Sequence, residues 1–167
     1  ITFPKSLYQL PPYEDYSMND RTYKYMKSEP LYPFGFGLSF TKFTYSGIKL
    51  SAAAIKKGQP SEVQVTVTNA GPVEGEEVVQ LYVTDVIASV EVPLFSLQGI
   101  KRIKLAPGKS EVVKFAISPE ALMVVNAKGE RVQEGGAFTI SVGGSLPGTR
   151  SQALGATAPQ QITLTVK

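Results

Sequence analysis

The sequence predicts an all-β protein, an antiparallel β-sandwich preceded by an extended, aromatic N-terminal arm. Three observations support this prediction. From about residue 41 onward, apolar and polar residues alternate with a period of two in several short runs. Clusters of glycine, proline and asparagine separate these runs. Twelve of the sixteen aromatic residues lie in the first 45 positions, among prolines that disfavour regular structure.

The arm is predicted over residues 1–40. Five prolines fall in this stretch: Pro4, Pro11, Pro12, Pro30 and Pro33. Because proline removes a backbone donor and keeps its neighbours extended, the arm is predicted to be neither a long helix nor a central strand. Each aromatic ring buries about 150–250 Å² when it packs, so the arm needs a surface to lie on. The arm either folds back on its own domain or docks on a neighbour outside this chain. The second interpretation is the more specific of the two.

The predicted β-sandwich occupies residues 41–167. Its strands each carry one apolar and one mostly polar face, and they are predicted around residues 43–50, 63–68, 78–83, 100–105, 112–117, 138–142 and 162–166. Gly47 predicts a bulge in the first of these strands. Seven or eight short strands separated by turn signals are typical of an antiparallel immunoglobulin or fibronectin type III-like sandwich.

Two connections between strands carry predictions of their own. Ser118 and Pro119 predict one short helical turn over residues 118–122, with Ser118 as its N-cap. Residues 144–160 are rich in Gly, Ser, Ala and Pro and are predicted to form a loop between the last two strands.

Composition excludes several kinds of chemistry. The 167 residues contain no cysteine, histidine or tryptophan, which excludes disulfides, thiol nucleophiles and Ser-His-Asp catalysis. The net charge is +3 without a Lys/Arg run, so no nucleic-acid partner is predicted. The sequence has no run of about 18 apolar residues, so no membrane partner is predicted. Because the chain begins at Ile1 rather than Met, we expect a piece of a longer protein.

The acidic residues offer two candidate pairs for glycoside hydrolysis, Glu14–Asp15 and Glu76–Glu77. This reaction needs two carboxyl groups about 5–10 Å apart across a sugar. Neighbours on an extended chain point to opposite faces, so neither pair can flank one substrate, and we interpret all four as solvated charges. Glu74, Glu76 and Glu77 lack the alternating spacing of a calcium loop, so no metal site is predicted.

The remaining motifs do not indicate a cofactor site or a catalytic site either. Gly35-Phe36-Gly37 lacks the third glycine and the strand–helix context of a dinucleotide loop, so no cofactor is predicted. No Ser or Thr has a histidine or an evident lysine base to activate it. The arm tyrosines either stack on sugar rings or bury against protein. No active site is therefore predicted in this chain from pattern alone.

Four motifs follow one another in an order that resembles a known family. Residues 31–43 read Leu-Tyr-Pro-Phe-Gly-Phe-Gly-Leu-Ser-Phe-Thr-Lys-Phe, and further motifs lie at 68–83, 97–108 and 136–143. The first resembles the Tyr-Pro-Phe-Gly-x-Gly-Leu-Ser-Tyr-Thr-x-Phe run that precedes the fibronectin type III-like domain of glycoside hydrolase family 3 enzymes. The others resemble strands of that domain, so the resemblance covers nearly the whole chain.

The departures from the family pattern are conservative. Phe36 stands where His or Tyr is usual, Phe40 where Tyr is usual, Ile100 where Phe is usual and Val92 where Arg is common. Residues 1–6 look like the tail of the family's preceding α/β-sandwich domain. Residues 14–25 are most similar to the β-xylosidase-like branch.

The resemblance implies an accessory role for this chain. In the family, the nucleophilic aspartate comes from an N-terminal barrel and the acid/base residue generally from the α/β-sandwich domain that follows. The implied parent is a retaining, exo-acting β-glucosidase or β-xylosidase, and no catalytic residue is implied within this chain. The expected partners are the catalytic domains of the same parent chain, and a periplasmic or secreted location is expected for a bacterial parent.

In this interpretation the chain braces the catalytic domains, and the arm supplies the contacts. The expected contact residues are five aromatics of the longest motif: Tyr32, Phe34, Phe36, Phe40 and Phe43. A second interpretation is a carbohydrate-binding module with an oligosaccharide as partner. Its candidate platform consists of five tyrosines: Tyr8, Tyr13, Tyr16, Tyr23 and Tyr25. A third interpretation is a stand-alone enzyme, and a fourth is adhesion or self-association through an exposed arm.

Overall fold

The computed structural model describes residues 1–167 and confirms the predicted all-β fold. Two short helices, α1 (Thr22–Tyr25) and α2 (Thr149–Ala153), accompany the strands. The strands are β1 (Phe43–Leu50), β2 (Ala54–Ile55), β3 (Ser61–Asn69), β4 (Gly75–Asp85), β5 (Ser96–Leu105), β6 (Ser110–Ile117), β7 (Val124–Val125), β8 (Arg131–Val132), β9 (Gly136–Gly143) and β10 (Gln160–Val166). None of the helices has the length and hydropathy to traverse a membrane.

Two main sheets face each other. One has three strands in the order β1-β3-β6, and the other has five in the order β2-β10-β9-β4-β5. Neighbouring strands are antiparallel except for β2, which runs parallel to β10. A separate hairpin pairs β7 with β8. Strands β2, β7 and β8 were not predicted, because two residues are too few for an alternating pattern to appear.

The core lies between the two main sheets and contains twenty buried residues. The alternation in β3 directs Val63, Val65 and Val67 inwards, as predicted. The bulge predicted in β1 is confirmed, because its pairing with β3 shifts register between Ser46 and Lys49. Gly47 lies inside this shift with a φ of 63°, a left-handed conformation that glycine adopts without strain.

Strand β4 departs from the predicted pattern, because both of its faces are buried at its centre. Val79, Leu81 and Val83 face the core, as the alternation predicts. Gln80 and Tyr82 were predicted on the mostly polar outer face, yet they are 5% and 0% exposed. The cause is the arm, which folds over this face and covers both side chains.

Residues 21–36 of the arm fold back on the sandwich. The Tyr23 ring stacks on Phe34 with centroids 4.1 Å apart, and its edge meets Tyr82 at 6.3 Å. The Leu146 amide donates to the Phe34 carbonyl at 3.1 Å, and the Leu94 amide donates to the Lys24 carbonyl at 2.6 Å. This part of the arm therefore follows the interpretation in which it packs on its own domain.

A second attachment fixes the start of the arm. Phe3 and Tyr32 form an isolated antiparallel bridge. Glu29 accepts from the Lys5 ammonium at 2.5 Å, and Arg150 donates to the Leu31 carbonyl at 3.0 Å from the α2 side. Between these anchors, the tip of the arm carries exposed rings at Tyr8, Tyr13 and Tyr16. The arm is thus tied down at residues 3–5 and 21–36. The domain boundary after residue 40 stays a prediction.

Two predicted connections differ in detail from the structure. A 3₁₀ turn forms at Pro119–Leu122, but the Ser118 side chain does not cap its backbone. The segment 144–160 was predicted as a loop, yet it contains α2 (Thr149–Ala153). A five-residue helix is too short to show a 3.6-residue hydrophobic period, so no periodic pattern marks it in the sequence.

Candidate interdomain contact surface

A groove of about 980 Å³ separates the end of the arm from the sandwich. We call it the arm groove. Its walls come from the segment 32–42 at the end of the arm and just beyond it, the first half of β4, the β1 side chains and the segment 154–157. The side chains that line it include Tyr32, Phe36, Leu38, Tyr45, Glu77 and Gln80. The groove therefore combines apolar arm residues on one side with two polar groups from the sandwich.

Gln80 clamps the arm to the wall of the groove. Its Nε2 donates to the Gly35 carbonyl at 3.0 Å and to the Gly144 carbonyl at 2.8 Å, while its Oε1 accepts from the Tyr82 hydroxyl at 2.6 Å. Gly35 has a φ of 70°, and a Cβ added there would lie 2.2 Å from Gln80 Oε1. Only glycine fits this turn, so the clamp fixes residues 33–36 against the sheet.

Glu77 is a half-buried carboxylate in the same groove. The Tyr45 hydroxyl donates to its Oε1 at 2.5 Å. Burial raises the pKa of Glu77 above its ordinary value, and the Tyr45 hydrogen bond opposes part of that rise. Burial and the neighbouring Glu77 carboxylate raise the pKa of Tyr45 as well. The Tyr45 hydroxyl therefore stays protonated at neutral pH and remains a donor.

This environment corrects the interpretation of Glu76 and Glu77 as two solvated charges. Glu76 is exposed and pairs with Arg102 at 2.8 Å. Glu77 points to the opposite side of β4, between the sheets, and no lysine or arginine nitrogen lies within 4.0 Å of it. The two neighbours differ because Glu77 shares the inward-facing phase of Val79 and Leu81.

Replacing Glu77 by Gln is expected to stabilise the isolated chain at pH 7. The amide keeps an acceptor for Tyr45 but removes a charge whose burial is unfavourable. Because the pKa of Glu77 is higher in the folded chain than its ordinary value of 4.5, protonated Glu77 favours the folded state. This contribution to the free energy of unfolding is fully present below pH 4.5 and is lost as the pH rises through the folded-state pKa. The stability gap between Glu77→Gln and wild type should therefore close as pH falls towards 4. Urea unfolding at several pH values measures this gap, and a gap independent of pH would contradict the expectation.

The five predicted contact residues fall in three environments. Tyr32 is 45% exposed and stacks on the half-buried Phe36 with centroids 6.1 Å apart, at the groove. Phe40 is fully exposed beside the groove. Phe34 lies under Tyr23, and Phe43 is 5% exposed in the sandwich core. The structure thus brings Tyr32 and Phe36 together, and the contact of all five with another domain stays a prediction.

Four residues of the groove were not predicted from the sequence: Tyr45, Glu77, Gln80 and Gly35. Gln80 lies on the face of β4 that the alternating pattern predicts to be polar. Its burial depends on Gly35 of the arm, 45 residues away in sequence. For Glu77 a signal was present, because a carboxylate in the apolar phase of a strand predicts an inward-facing charge.

The tip of the arm forms a smaller cleft of about 230 Å³ beside Tyr8. Its polar side chains are engaged within the arm: Asp15 accepts from the Ser17 amide at 2.8 Å, and Asp20 accepts from the Lys27 amide at 3.1 Å. No group of three or more acidic side chains in the chain is placed to hold a metal ion.

Comparisons with known proteins agree with this architecture. A family model described as a fibronectin type III-like domain matches residues 77–146. A β-xylosidase of Formosa agariphila is 46% identical over 123 residues, which cover 74% of this chain and 17% of that protein. A periplasmic β-glucosidase of Salmonella typhimurium is 37% identical over 155 residues, which cover 86% of this chain and 20% of that protein.

The likeness extends to solved structures. That of a β-glucosidase from Erythrobacter marinus superimposes with a TM-score of 0.79 at 33% identity, covering 99% of this chain and 21% of that one. The chain thus spans about a fifth of the length of the relatives it matches. Residues 77–146 therefore match a fibronectin type III-like domain, and the chain as a whole is similar to one segment of β-glucosidases and β-xylosidases.

Proposed function

We propose that this chain is a non-catalytic accessory domain that braces the catalytic domains of a parent family 3 glycoside hydrolase. The parent would be a retaining, exo-acting β-glucosidase or β-xylosidase. The observation that carries the proposal is the exposed apolar rim of the arm groove. Phe40 is fully exposed and Leu38 nearly so, beside the Tyr32–Phe36 stack. Apolar side chains clustered beside a groove mark surfaces that bind another protein.

The rim is anchored at both of its ends. The Gln80 clamp fixes residues 33–36, and the Thr41 hydroxyl donates to the buried Asn69 Oδ1 at 2.6 Å on the other side of the rim. Leu38 and Phe40 lie between these two anchors. A preorganised surface loses little conformational entropy on binding, which favours a stable contact with the catalytic domains.

The groove carboxylates support a non-catalytic role. Glu76 and Glu77 point to opposite faces of β4, so they cannot act as the two carboxyl groups that flank a sugar. Glu76 pairs with Arg102, and Glu77 accepts from Tyr45. We propose a periplasmic or secreted location for the parent, which is supported by the periplasmic name of the Salmonella relative.

The test compares Phe40→Ser in the isolated chain and in the full-length glycosidase. Phe40 is fully exposed in the isolated chain, so its replacement should leave the stability of that chain within about 0.5 kcal/mol. If the ring is buried against a catalytic domain, the full-length enzyme should lose about 1.5–3 kcal/mol of stability. Thermal unfolding of both proteins measures the difference.

Tyr8→Ser is the matched control, because Tyr8 is equally exposed but lies at the tip of the arm. It should leave both proteins unchanged. Equal melting temperatures of wild-type and Phe40→Ser full-length enzyme would count against docking through this rim.

A carbohydrate-binding module is the second candidate, and the exposed rings of Tyr8, Tyr13 and Tyr16 favour it. The engaged polar groups around Tyr8 leave few free donors and acceptors for sugar hydroxyls, so we rank it second. Titration of the chain with xylo- and cello-oligosaccharides discriminates the two candidates.

A further inference from the structure

The arm groove contains an unusual electrostatic arrangement. Glu77 lies half-buried on its wall with one hydrogen-bond donor, the Tyr45 hydroxyl, and without a cation within 4.0 Å. Lys42 also lines the groove, but it forms no ion pair with Glu77. An ionised carboxylate accepts up to about four hydrogen bonds, so Glu77 retains unused acceptor capacity.

The surroundings of Glu77 are shaped to keep this carboxylate in place. Gly144 passes so close that a Cβ added there would lie 2.1 Å from Glu77 Oε1 and 3.1 Å from the Tyr45 hydroxyl. Gly144 is held in turn by Gln80, whose amide donates to its carbonyl. The carboxylate therefore lies against backbone that Gln80 holds in place.

Flat and apolar side chains line the same groove. Tyr32 and Phe36 stack with an interplanar angle of 17°, and Leu38 continues the apolar surface. A side chain that contacts both Glu77 and these rings needs an apolar stem and a cationic end. Arginine fits better than lysine, because its planar guanidinium stacks on aromatic faces, binds carboxylates with two parallel donors and is more weakly hydrated.

We propose that the arm groove receives an arginine of the catalytic part of the parent enzyme, with its guanidinium on Glu77 and its stem along Tyr32 and Phe36. This inference rests on the proposed function and deepens it, because it names the chemistry of the docking segment. The arginine supplies the missing positive charge and fills the acceptor capacity of Glu77. Charge complementarity then adds specificity to the apolar contact at Phe40.

The test uses the 167-residue chain and two blocked pentapeptides. The first is acetyl-Gly-Ala-Arg-Ala-Gly-amide, and the second carries citrulline in place of arginine, which keeps the planar shape but removes the charge. Amide and side-chain NMR shifts of Tyr45, Glu77 and Gly144 are followed to millimolar peptide. The arginine peptide should shift these resonances and bind about tenfold more tightly than the citrulline peptide.

Two variants localise the effect. Glu77→Gln keeps the hydrogen bond to Tyr45 and should weaken arginine-peptide binding about tenfold. Glu76→Gln is the matched control, because Glu76 is an exposed neighbour paired with Arg102, and it should bind as wild type does. Equal binding of the two peptides, unchanged binding by Glu77→Gln or no shift at millimolar peptide each overturns the proposal.

A negative result in this experiment can be distinguished from a negative result in the test of the proposed function. If the arginine peptide fails but Phe40→Ser still destabilises the full-length enzyme, docking stands and the arginine is rejected. If Phe40→Ser leaves the full-length enzyme unchanged, docking through this surface is itself rejected, whatever the peptide does.

Discussion

Gly35→Ala should lower the free energy of unfolding of the isolated chain by about 3 kcal/mol. The left-handed backbone at Gly35 costs a side-chain-bearing residue about 1–2 kcal/mol. The new Cβ would also lie 2.2 Å from Gln80 Oε1 and displace that buried amide. Loss of the hydrogen bonds of this amide costs about 1–3 kcal/mol. For a chain of this size, the melting temperature should fall by about 6–12 °C.

Gly37→Ala is the control for this prediction. Gly37 lies two residues away in the same motif, but its backbone is not left-handed and nothing lies within 4 Å of an added Cβ. This substitution should leave stability within about 0.5 kcal/mol. Urea unfolding of both variants decides the point, and equal midpoints would contradict the clamp.

Asn69→Ala should destabilise the chain by about 3–4 kcal/mol, since it leaves several buried groups without partners. Asn69 is 0% exposed, and its Nδ2 donates to the Val73 and Leu105 carbonyls, both at 2.8 Å. Its Oδ1 accepts from the Thr41 hydroxyl and the Gly71 amide. One amide therefore joins Thr41, just after the arm, to the β3–β4 turn and β5.

Asn126→Ala provides the comparison. Asn126 organises the β7–β8 turn through three hydrogen bonds of similar length, but these bonds are exposed to solvent. Water replaces the lost partners there, so the cost should be about 1 kcal/mol or less. If the two variants have the same denaturation midpoint, burial does not set the contribution of Asn69.

The main strands could be predicted from the sequence because alternation is a local signal. The inward phase of β3 and the bulge at Gly47 follow from residues close together in the chain. The two-sided burial of β4 could not be predicted this way, because Gln80 and Tyr82 are covered by Gly35 and Tyr23, far away in sequence. Long-range packing overrides local pattern at that point.

The candidate contact surface likewise has one part that local sequence signals predict and another that depends on long-range packing. The density of aromatic residues predicted the arm, and Tyr32 and Phe36 lie at the groove as a pair. The Tyr45–Glu77 pair joins positions 32 residues apart and became visible only when β1 and β4 were placed together. The inward phase of Glu77 is present in the sequence, and the interpretation of this residue as a solvated charge overlooks it.

The packing of the Tyr23 ring on Tyr82, with Phe34 stacked on Tyr23, has a consequence for protein engineering. If this domain were fused to another enzyme without the residues before β1, the fully buried Tyr82 would become exposed. The outer face of the sheet would then present an apolar surface prone to aggregation. The transplantable unit therefore begins upstream of Arg21, well before the residues that the family pattern recognises.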